Sequence, residues 1–240
     1  MKAKHLMLGL AASVAAGVLT VGTAMADPAP PLWNGPYVGA NAGFISGMMN
    51  HRNEADNDFA PFTPGSQFNL TASGFLGGGQ AGFNWQSSNF VLGVEGDLDG
   101  AVARKGDTTP TSNCCFGVQN TRWSGLGTAR ARVGYAFNGA PVMVYATGGL
   151  AFGDVKNYAA NVFTTGGLGE QWSKSGWRVG WTAGGGAEWM FCRNWSVKAE
   201  VLYVDLGGYS TVGTTGNDPT CRQGFSNTAV IGRAGVNLHF

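Results

Sequence analysis

The sequence predicts an all-β protein in which eight antiparallel strands close into one up-and-down barrel. The first observation is compositional: glycine supplies 40 of the 240 residues and charged residues only 12%. Glycine inside a helix costs about 1 kcal/mol relative to alanine, so a helical bundle is excluded. The second observation is an alternation of apolar and polar residues in eight segments, with the period of two that strands have. The third is that short and long connections alternate between these segments.

Net charge and hydrophobicity exclude two further classes. The formal net charge of +1 is not that of a strongly basic nucleic-acid binder, so nucleic acid is not expected as a partner. Hydrophobic residues make up 44% of the chain and aromatic residues 12%, which excludes an intrinsically disordered protein.

The N-terminus has the pattern of a secretory signal peptide. Lys2 and Lys4 precede an apolar stretch at residues 6–21, and Ala24-Met25-Ala26 fits the small-residue cleavage pattern. The alternative is an N-terminal membrane anchor, but the stretch is short and rich in small residues for a membrane-spanning helix. We therefore expect a signal peptide at 1–26.

The strands are predicted from the period-two pattern, in chain order. Their apolar faces span residues 38–44, 75–85, 90–102, 123–137, 142–152, 177–191, 197–203 and 230–240. The first segment is the weakest, because glycines fill much of its second face. The last is the clearest: every second residue from Val230 to Phe240 is apolar or glycine, while Arg233, Asn237 and His239 share the opposite face.

The connections predict which ends of the strands lie together. Short turns are expected near residues 86–89, 138–141 and 192–194. Longer polar loops are expected at 47–72, 103–121, 157–175 and 208–224, where Gly, Pro, Asn, Asp and Thr are frequent. This alternation is typical of a bacterial transmembrane β-barrel, with both chain ends periplasmic. The predicted division is a signal peptide at 1–26, a short periplasmic segment at 27–36 and the barrel at 37–240.

The apolar face is expected to point to lipid. Aromatic residues lie near the ends of its strands, as interfacial girdles do. The members of these girdles are Phe75, Trp85, Trp123, Phe137, Trp177, Trp189 and Phe191. The alternative is a soluble barrel with an aromatic core and a polar exterior.

The opposite face is then lumenal and carries a charge network. Five acids and five bases fall on it: Glu95, Asp97, Asp99, Glu188 and Glu200, with Arg130, Arg132, Arg178, Lys198 and Arg233. Buried charges are costly unless paired, so we expect ion pairs among these ten residues.

Several motifs resemble those of the small outer-membrane immunogenic proteins of Gram-negative bacteria, a porin-family group of opacity-like surface antigens. They are WNGPYVGANAG (33–43), GGQAGFNWQ (78–86), VLGVEGDL (91–98), ARARVGYA (129–136), YATGGLA (145–151), NWSVKAE (194–200) and YVDLG (203–207). The resemblance covers the mature chain and implies an eight-stranded outer-membrane barrel without a catalytic site. Separately, we expect no metal and no cofactor. It implies outer-membrane lipid and the assembly machinery as partners, with terminal Phe240 as the assembly signal. The loops depart from the family, so an extracellular or host ligand is not carried over.

Two further patterns are given a structural interpretation. Residues 77–82 spell G-x-G-x-x-G, but a dinucleotide site needs a helix at these glycines, and the alternation continues as a strand. His51 lies near Glu54, Asp56 and Asp58, where oxygen ligands could hold a cation. We favour a solvated loop there.

The four cysteines match no zinc motif. Cys114 and Cys115 fall in the second long loop, Cys221 in the fourth, and Cys192 in a short turn at the other end. We expect Cys221 to pair with Cys114 or Cys115, with a Cys114–Cys115 bridge or free thiols as alternatives, and Cys192 to have no intrachain partner.

Two functions remain from the sequence. The first is a non-catalytic, surface-exposed barrel of the antigen or adhesin type. The alternative is a narrow porin-like pore for small solutes. Eight strands leave an interior just wide enough for side chains to fill, which favours the first.

Overall fold

Eight antiparallel strands form a closed barrel in the computed structural model, which describes residues 32–53, 67–112, 115–212 and 222–240. The strands are β1 (Gly35–Asn53), β2 (Gln67–Ser87), β3 (Phe90–Ser112), β4 (Cys115–Ala136), β5 (Val142–Phe163), β6 (Leu168–Cys192), β7 (Trp195–Val212) and β8 (Arg222–His239). The predicted all-β, eight-stranded fold is confirmed. Within the described ranges no helix is long and apolar enough to cross a membrane.

Each strand pairs with its neighbours in the chain, and β1 pairs with β8 to close the barrel. The closing register runs from Tyr37 opposite His239 to Asn53 opposite Gln223. A closed barrel leaves no edge strand, so the ladder satisfies its backbone groups internally, as a membrane requires. Because the number of strands is even, the beginning of β1 and the end of β8 lie at the same end of the barrel.

The strands are longer than the sequence pattern indicated. β2 has 21 residues and β6 has 25, whereas a transmembrane strand needs about 9–11. Much of 47–72, 103–121, 157–175 and 208–224, expected as loops, continues the strands, so that prediction was wrong in extent. Polar residues on both faces of a strand produce no alternation, and such a segment outside the membrane therefore resembles a loop.

The short turns lie where they were expected, at residues 88–89, 137–141 and 193–194. The G-x-G-x-x-G segment at 77–82 lies inside β2, so no helix begins there. The structure therefore supports the strand interpretation of this segment against the dinucleotide fingerprint.

The outer surface of the barrel is apolar and the interior polar. Phe75 is 71% exposed and Trp177 is 66% exposed, while Glu95 and Arg130 are buried. A soluble barrel has the opposite arrangement, which excludes that alternative. The predicted girdle residues Trp85, Phe137, Trp189 and Phe191 also face outward.

Trp123 is the exception, because its indole is fully buried in the lumen. A β-bulge at Ser124 separates the pairs that Trp123 and Gly125 form with β5. The extra residue shifts the alternation by one position, so that odd-numbered residues face the lumen before the bulge and even-numbered residues face it after the bulge. The sequence prediction extended the period of two unbroken from Phe137 to Trp123, and it therefore placed Trp123 wrongly on the lipid-facing side.

The orientation of the barrel can be tested with single cysteines. One variant keeps only Cys192, which ends β6 and is exposed; a cysteine-free variant carries Thr165→Cys in the β5–β6 connection, where Thr165 is exposed. A membrane-impermeant maleimide is expected to label the Thr165→Cys variant in intact cells. It should label Cys192 only after the outer membrane is permeabilised. Labelling of Cys192 in intact cells, with Thr165→Cys protected, would show that the barrel has the opposite orientation in the membrane.

Candidate functional site

The centre of the lumen is filled by a charge network of nine side chains from five strands. They are Glu95, Asp97 and Asp99 of β3, Arg130 and Arg132 of β4, Glu188 of β6, Lys198 and Glu200 of β7, and Arg233 of β8. All nine are buried. Residues at i and i+2 of a strand share one face, which is why consecutive alternate positions of β3 and β4 supply five of them.

Arg130 and Arg233 bind the acids of two strands, β3 and β7, together. Arg233 contacts Asp99 at 2.6 Å, Asp97 at 2.8 Å and Glu200 at 2.6 Å. Arg130 contacts Asp97 at 2.9 Å and Glu200 at 3.1 Å, and also pairs with Glu95. Guanidinium groups present several donors in a fixed plane, so each satisfies more than one carboxylate.

Arg132 and Lys198 complete the network toward the end that carries the short turns. Lys198 Nζ donates to both oxygens of Glu95 at 2.8 Å. Arg132 pairs with Glu188 at 3.1 Å, and its guanidinium carbon lies 5.0 Å from the ring centres of both Tyr37 and Tyr145. The arginine is thus held between two aromatic rings, which is a favourable cation–π arrangement.

Arg178 lies outside this network, contrary to the sequence prediction. Its guanidinium carbon lies 3.5 Å from the ring centre of Tyr209, and it forms no ion pair with a described residue. In its place, His239 Nε2 lies 3.3 Å from Glu188 and 2.9 Å from the hydroxyl of Ser196. The histidine adds a positive charge only when it is protonated.

Neutral polar residues that the sequence analysis did not single out complete the network. The Tyr37 hydroxyl donates to Glu95 at 2.7 Å, and the Tyr145 hydroxyl donates to Glu200 at 3.0 Å. Thr128 donates to Asp97 at 2.6 Å. The period-two pattern could have identified them, because each falls on the face of its strand opposite the apolar face.

An apolar layer closes the lumen on the side of the long connections. Trp123 reaches from β4 to Gly47 of β1, where a Cβ atom would overlap the indole nitrogen. The layer comprises Ile45, Ala72, Leu76, Ala101, Ala103, Trp123, Leu126, Ala151, Val155, Leu202, Val204, Leu206, Ala229 and Ile231. These side chains are buried and pack together as one cluster.

A second apolar layer closes the opposite end, and the N-terminal segment contributes to it. It consists of Trp33, Val91, Ala136, Met143, Tyr145 and Met190. Trp33 packs edge-on against His239, with ring centres 5.8 Å apart, and its amide donates to Gln86 at 3.0 Å. The segment expected at 27–36 thus reaches into the barrel mouth at Trp33, and β1 begins at Gly35 instead of 37. The predicted signal peptide lies outside the described residues.

Polar and aromatic residues fill the lumen beyond the Trp123 layer. Asn157 joins Thr121 and Asn227 by hydrogen bonds of 2.8 and 2.9 Å. His51 stacks on Phe225 with ring centres 4.7 Å apart, and its Nε2 is 2.7 Å from the Gln223 amide oxygen. His51 therefore belongs to a buried strand end and not to a solvated loop; Glu54, Asp56 and Asp58 lie outside the described residues.

Burial lowers the pKa of His51 and raises the pKa of Tyr209. Because the folded pKa of His51 lies below the ordinary value of about 6.5, the opened strand binds a proton that the folded strand excludes. The stability that neutral His51 gives to the end of β1 is fully present above about pH 6.5, and it decreases as the pH falls below that value.

This pH dependence can be measured at the end of β1. Hydrogen-exchange protection of the amides of residues 47–53 is expected to fall by up to about tenfold per pH unit below pH 6.5. The His51→Gln variant, which cannot titrate, should lose this dependence. If the protection of both proteins had the same pH dependence, a titrating group other than His51 would be its cause.

The cysteine prediction is not resolved by the described residues. Cys114 and Cys221 lie outside them, and nothing is described of the side chain of Cys115. Cys192 is a free, exposed thiol at the end of β6. Among the described residues, no cluster of His, Cys, Asp and Glu has the arrangement of a metal site.

Comparisons with known proteins place this barrel in a family. The family model described as outer membrane protein beta-barrel domain matches residues 11–237. The 31 kDa outer-membrane immunogenic protein of Brucella melitensis is 34% identical over 245 aligned positions, covering 98% of each chain. The 22 kDa outer membrane protein of Rhizobium leguminosarum bv. viciae is 35% identical over 133 positions, which cover 55% of this chain and 53% of that one.

Two solved structures are similar to the chain at lower identity. Neisserial surface protein A is 17% identical, with a TM-score of 0.44 over 86% of this chain and 98% of that one. The attachment invasion locus protein Ail of Yersinia pestis is 13% identical, with a TM-score of 0.38 over 85% and 99%. Because the family model matches most of the chain and the Brucella melitensis relative aligns over 98% of both chains, this chain belongs to the outer membrane protein beta-barrel domain family and is a protein of the cell outer membrane.

Proposed function

We propose that this protein is a closed barrel that anchors a surface-exposed, non-catalytic structure in the outer membrane. The observation that carries the proposal is the filled lumen, in which a network of buried ion pairs lies between two apolar layers. The lumen therefore serves stability, and the accessible parts of the molecule are its outer wall and its two ends.

A diffusion pore is disfavoured by the same packing. A solute would have to displace Trp123 and Leu126 in one layer and Trp33 and Met143 in the other, and all four are buried. Between these layers it would have to break ion pairs that are closed to solvent. Eight-stranded barrels have interiors of a size that side chains fill, whereas open channels go with about 16–18 strands.

A catalytic role is disfavoured by the engagement of the acidic groups. A general acid or base must come within hydrogen-bond reach of a substrate. Glu95, Asp97, Glu188 and Glu200 are buried and ion-paired. They are thus part of a structural network that offers no substrate access.

The presented part consists of the strand ends that extend beyond the apolar band and of the connections between them. The outward-facing Lys156 and Ser175 of β5 and β6 are exposed there. Relatives of this chain carry the name outer-membrane immunogenic protein, which accords with a surface antigen. Membrane lipid contacts the outer wall, and the assembly machinery reads the terminal Phe240, which is 68% exposed.

Planar-bilayer recording tests the closed lumen. Refolded protein is expected to insert without unitary conductance steps, while a sixteen-stranded porin under the same conditions should give them. Heat-modifiable gel migration and β circular dichroism establish that the inserted protein is folded. Stable, reproducible conductance steps from the folded protein would contradict the closed lumen and support a pore for small solutes instead.

A further inference from the structure

Three cationic side chains lie in one row on the outer wall, across three neighbouring strands. Arg104 of β3 is the register partner of Arg122 of β4, and Arg122 is in turn the partner of Lys156 of β5. All three are exposed. Their neighbours Ala103, Trp123 and Val155 are buried in the lumen, so the three cations point outward. The bulge at Ser124 brings Arg122 to this face.

The row carries positive charge without a partner in the described part of the chain. Like charges directly opposite each other on adjacent strands are destabilising. None of the three cations forms an ion pair with a described carboxylate. Asp154, two residues below Lys156 on the same strand, is half-buried and pairs with none of them. An external anion would remove this repulsion.

The position of the row relative to the apolar band indicates where the anion comes from. Val102, two residues before Arg104 on β3, is the next outward residue and is 75% exposed. Trp177, two residues after Ser175 on β6 and so two register pairs from Lys156, is 66% exposed. Two residues of a strand span about 7 Å. The row therefore lies at headgroup level, directly above side chains that face acyl chains.

We propose that Arg104, Arg122 and Lys156 form a site for the phosphate groups of an anionic glycolipid of the outer leaflet. Guanidinium groups bind phosphate through two parallel hydrogen bonds, and the lysine adds a compact charge. The two strand spacings of the row cover about 10 Å, enough for more than one phosphate group. The acyl chains lie against the band formed by Val102 and Trp177. The site rests on the orientation that places the long connections outside, and not on the closed lumen.

The test uses the full mature protein in detergent micelles, titrated with purified lipid A, with bound lipid counted by native mass spectrometry. The variant carries Arg104→Gln, Arg122→Gln and Lys156→Gln. Its matched control carries Lys105→Gln, Lys174→Gln and Arg193→Gln, which removes the same charge from exposed residues outside the row. Heat-modifiable migration establishes that both variants are folded.

The row variant is expected to lose about 100-fold in lipid A affinity, at about fivefold for each cation. The control variant should remain within about fivefold of the unmodified protein. Dephosphorylated lipid A should bind the unmodified protein and the row variant equally, and millimolar inorganic phosphate should not displace lipid A from the unmodified protein. An equal loss in both variants, or no loss in the row variant, would overturn the site. Displacement by inorganic phosphate would identify a free-phosphate site and overturn the lipid assignment.

Discussion

Replacing Arg233 with methionine is expected to lower the free energy of unfolding by about 3–5 kcal/mol. Arg233 contacts Asp97, Asp99 and Glu200 within 2.8 Å, and all four side chains are closed to solvent. Removing the guanidinium leaves three buried carboxylates short of a counter-charge. Urea unfolding from lipid vesicles, followed by tryptophan fluorescence, measures the loss.

Arg178 provides the matched control within the same chain. Its guanidinium lies over the ring of Tyr209 and outside the charge network. Arg178→Met is therefore expected to cost no more than about 1 kcal/mol, the usual range of a partly exposed cation–π contact. If the two variants lost equal stability, the network would not be the dry, interlocked unit described above.

The lumenal charges could be predicted because a period-two pattern assigns faces wherever a strand stays regular. Glu95, Asp97 and Asp99 alternate with outward residues, and the structure buries all three. Height along the barrel is a separate quantity, set by how far each strand is shifted against the next. Arg130 is aligned through Gly149 of β5 with Thr182 of β6. Arg178 is four residues, or about 14 Å, further along that strand, out of reach of the network.

The extent of the strands could not be predicted from the same pattern. Where a strand leaves the lipid, its outer face becomes polar, as at Arg104 and Lys156. The alternation then disappears although the hydrogen-bonded ladder continues. The change from apolar to polar residues on the outer face thus indicates where a strand leaves the membrane. Where the strand itself ends depends on its hydrogen bonds to neighbouring strands, which the residue pattern does not show.

A bulge was the remaining source of error, and its main consequence is measurable at Trp123. Trp123→Ala is expected to cost about 3–5 kcal/mol, the range for removing a buried aromatic side chain. The indole packs among Leu126, Val155 and other members of the apolar layer and fills the space above Gly47. Its removal leaves a cavity that the rigid barrel wall cannot collapse to fill.

Trp177→Ala is the matched comparison, because Trp177 is also a strand tryptophan but is 66% exposed on the lipid face. Its removal forms no internal cavity, so its cost in the same urea titration should be clearly smaller than that of Trp123→Ala. If both residues belonged to an outer girdle, as the unbroken alternation indicated, the two losses would be similar. Equal losses would thus contradict the bulge at Ser124 and the apolar layer together. Conductance should stay absent in Trp123→Ala, because the ion pairs of Arg130 and Arg233 still close the lumen below the cavity.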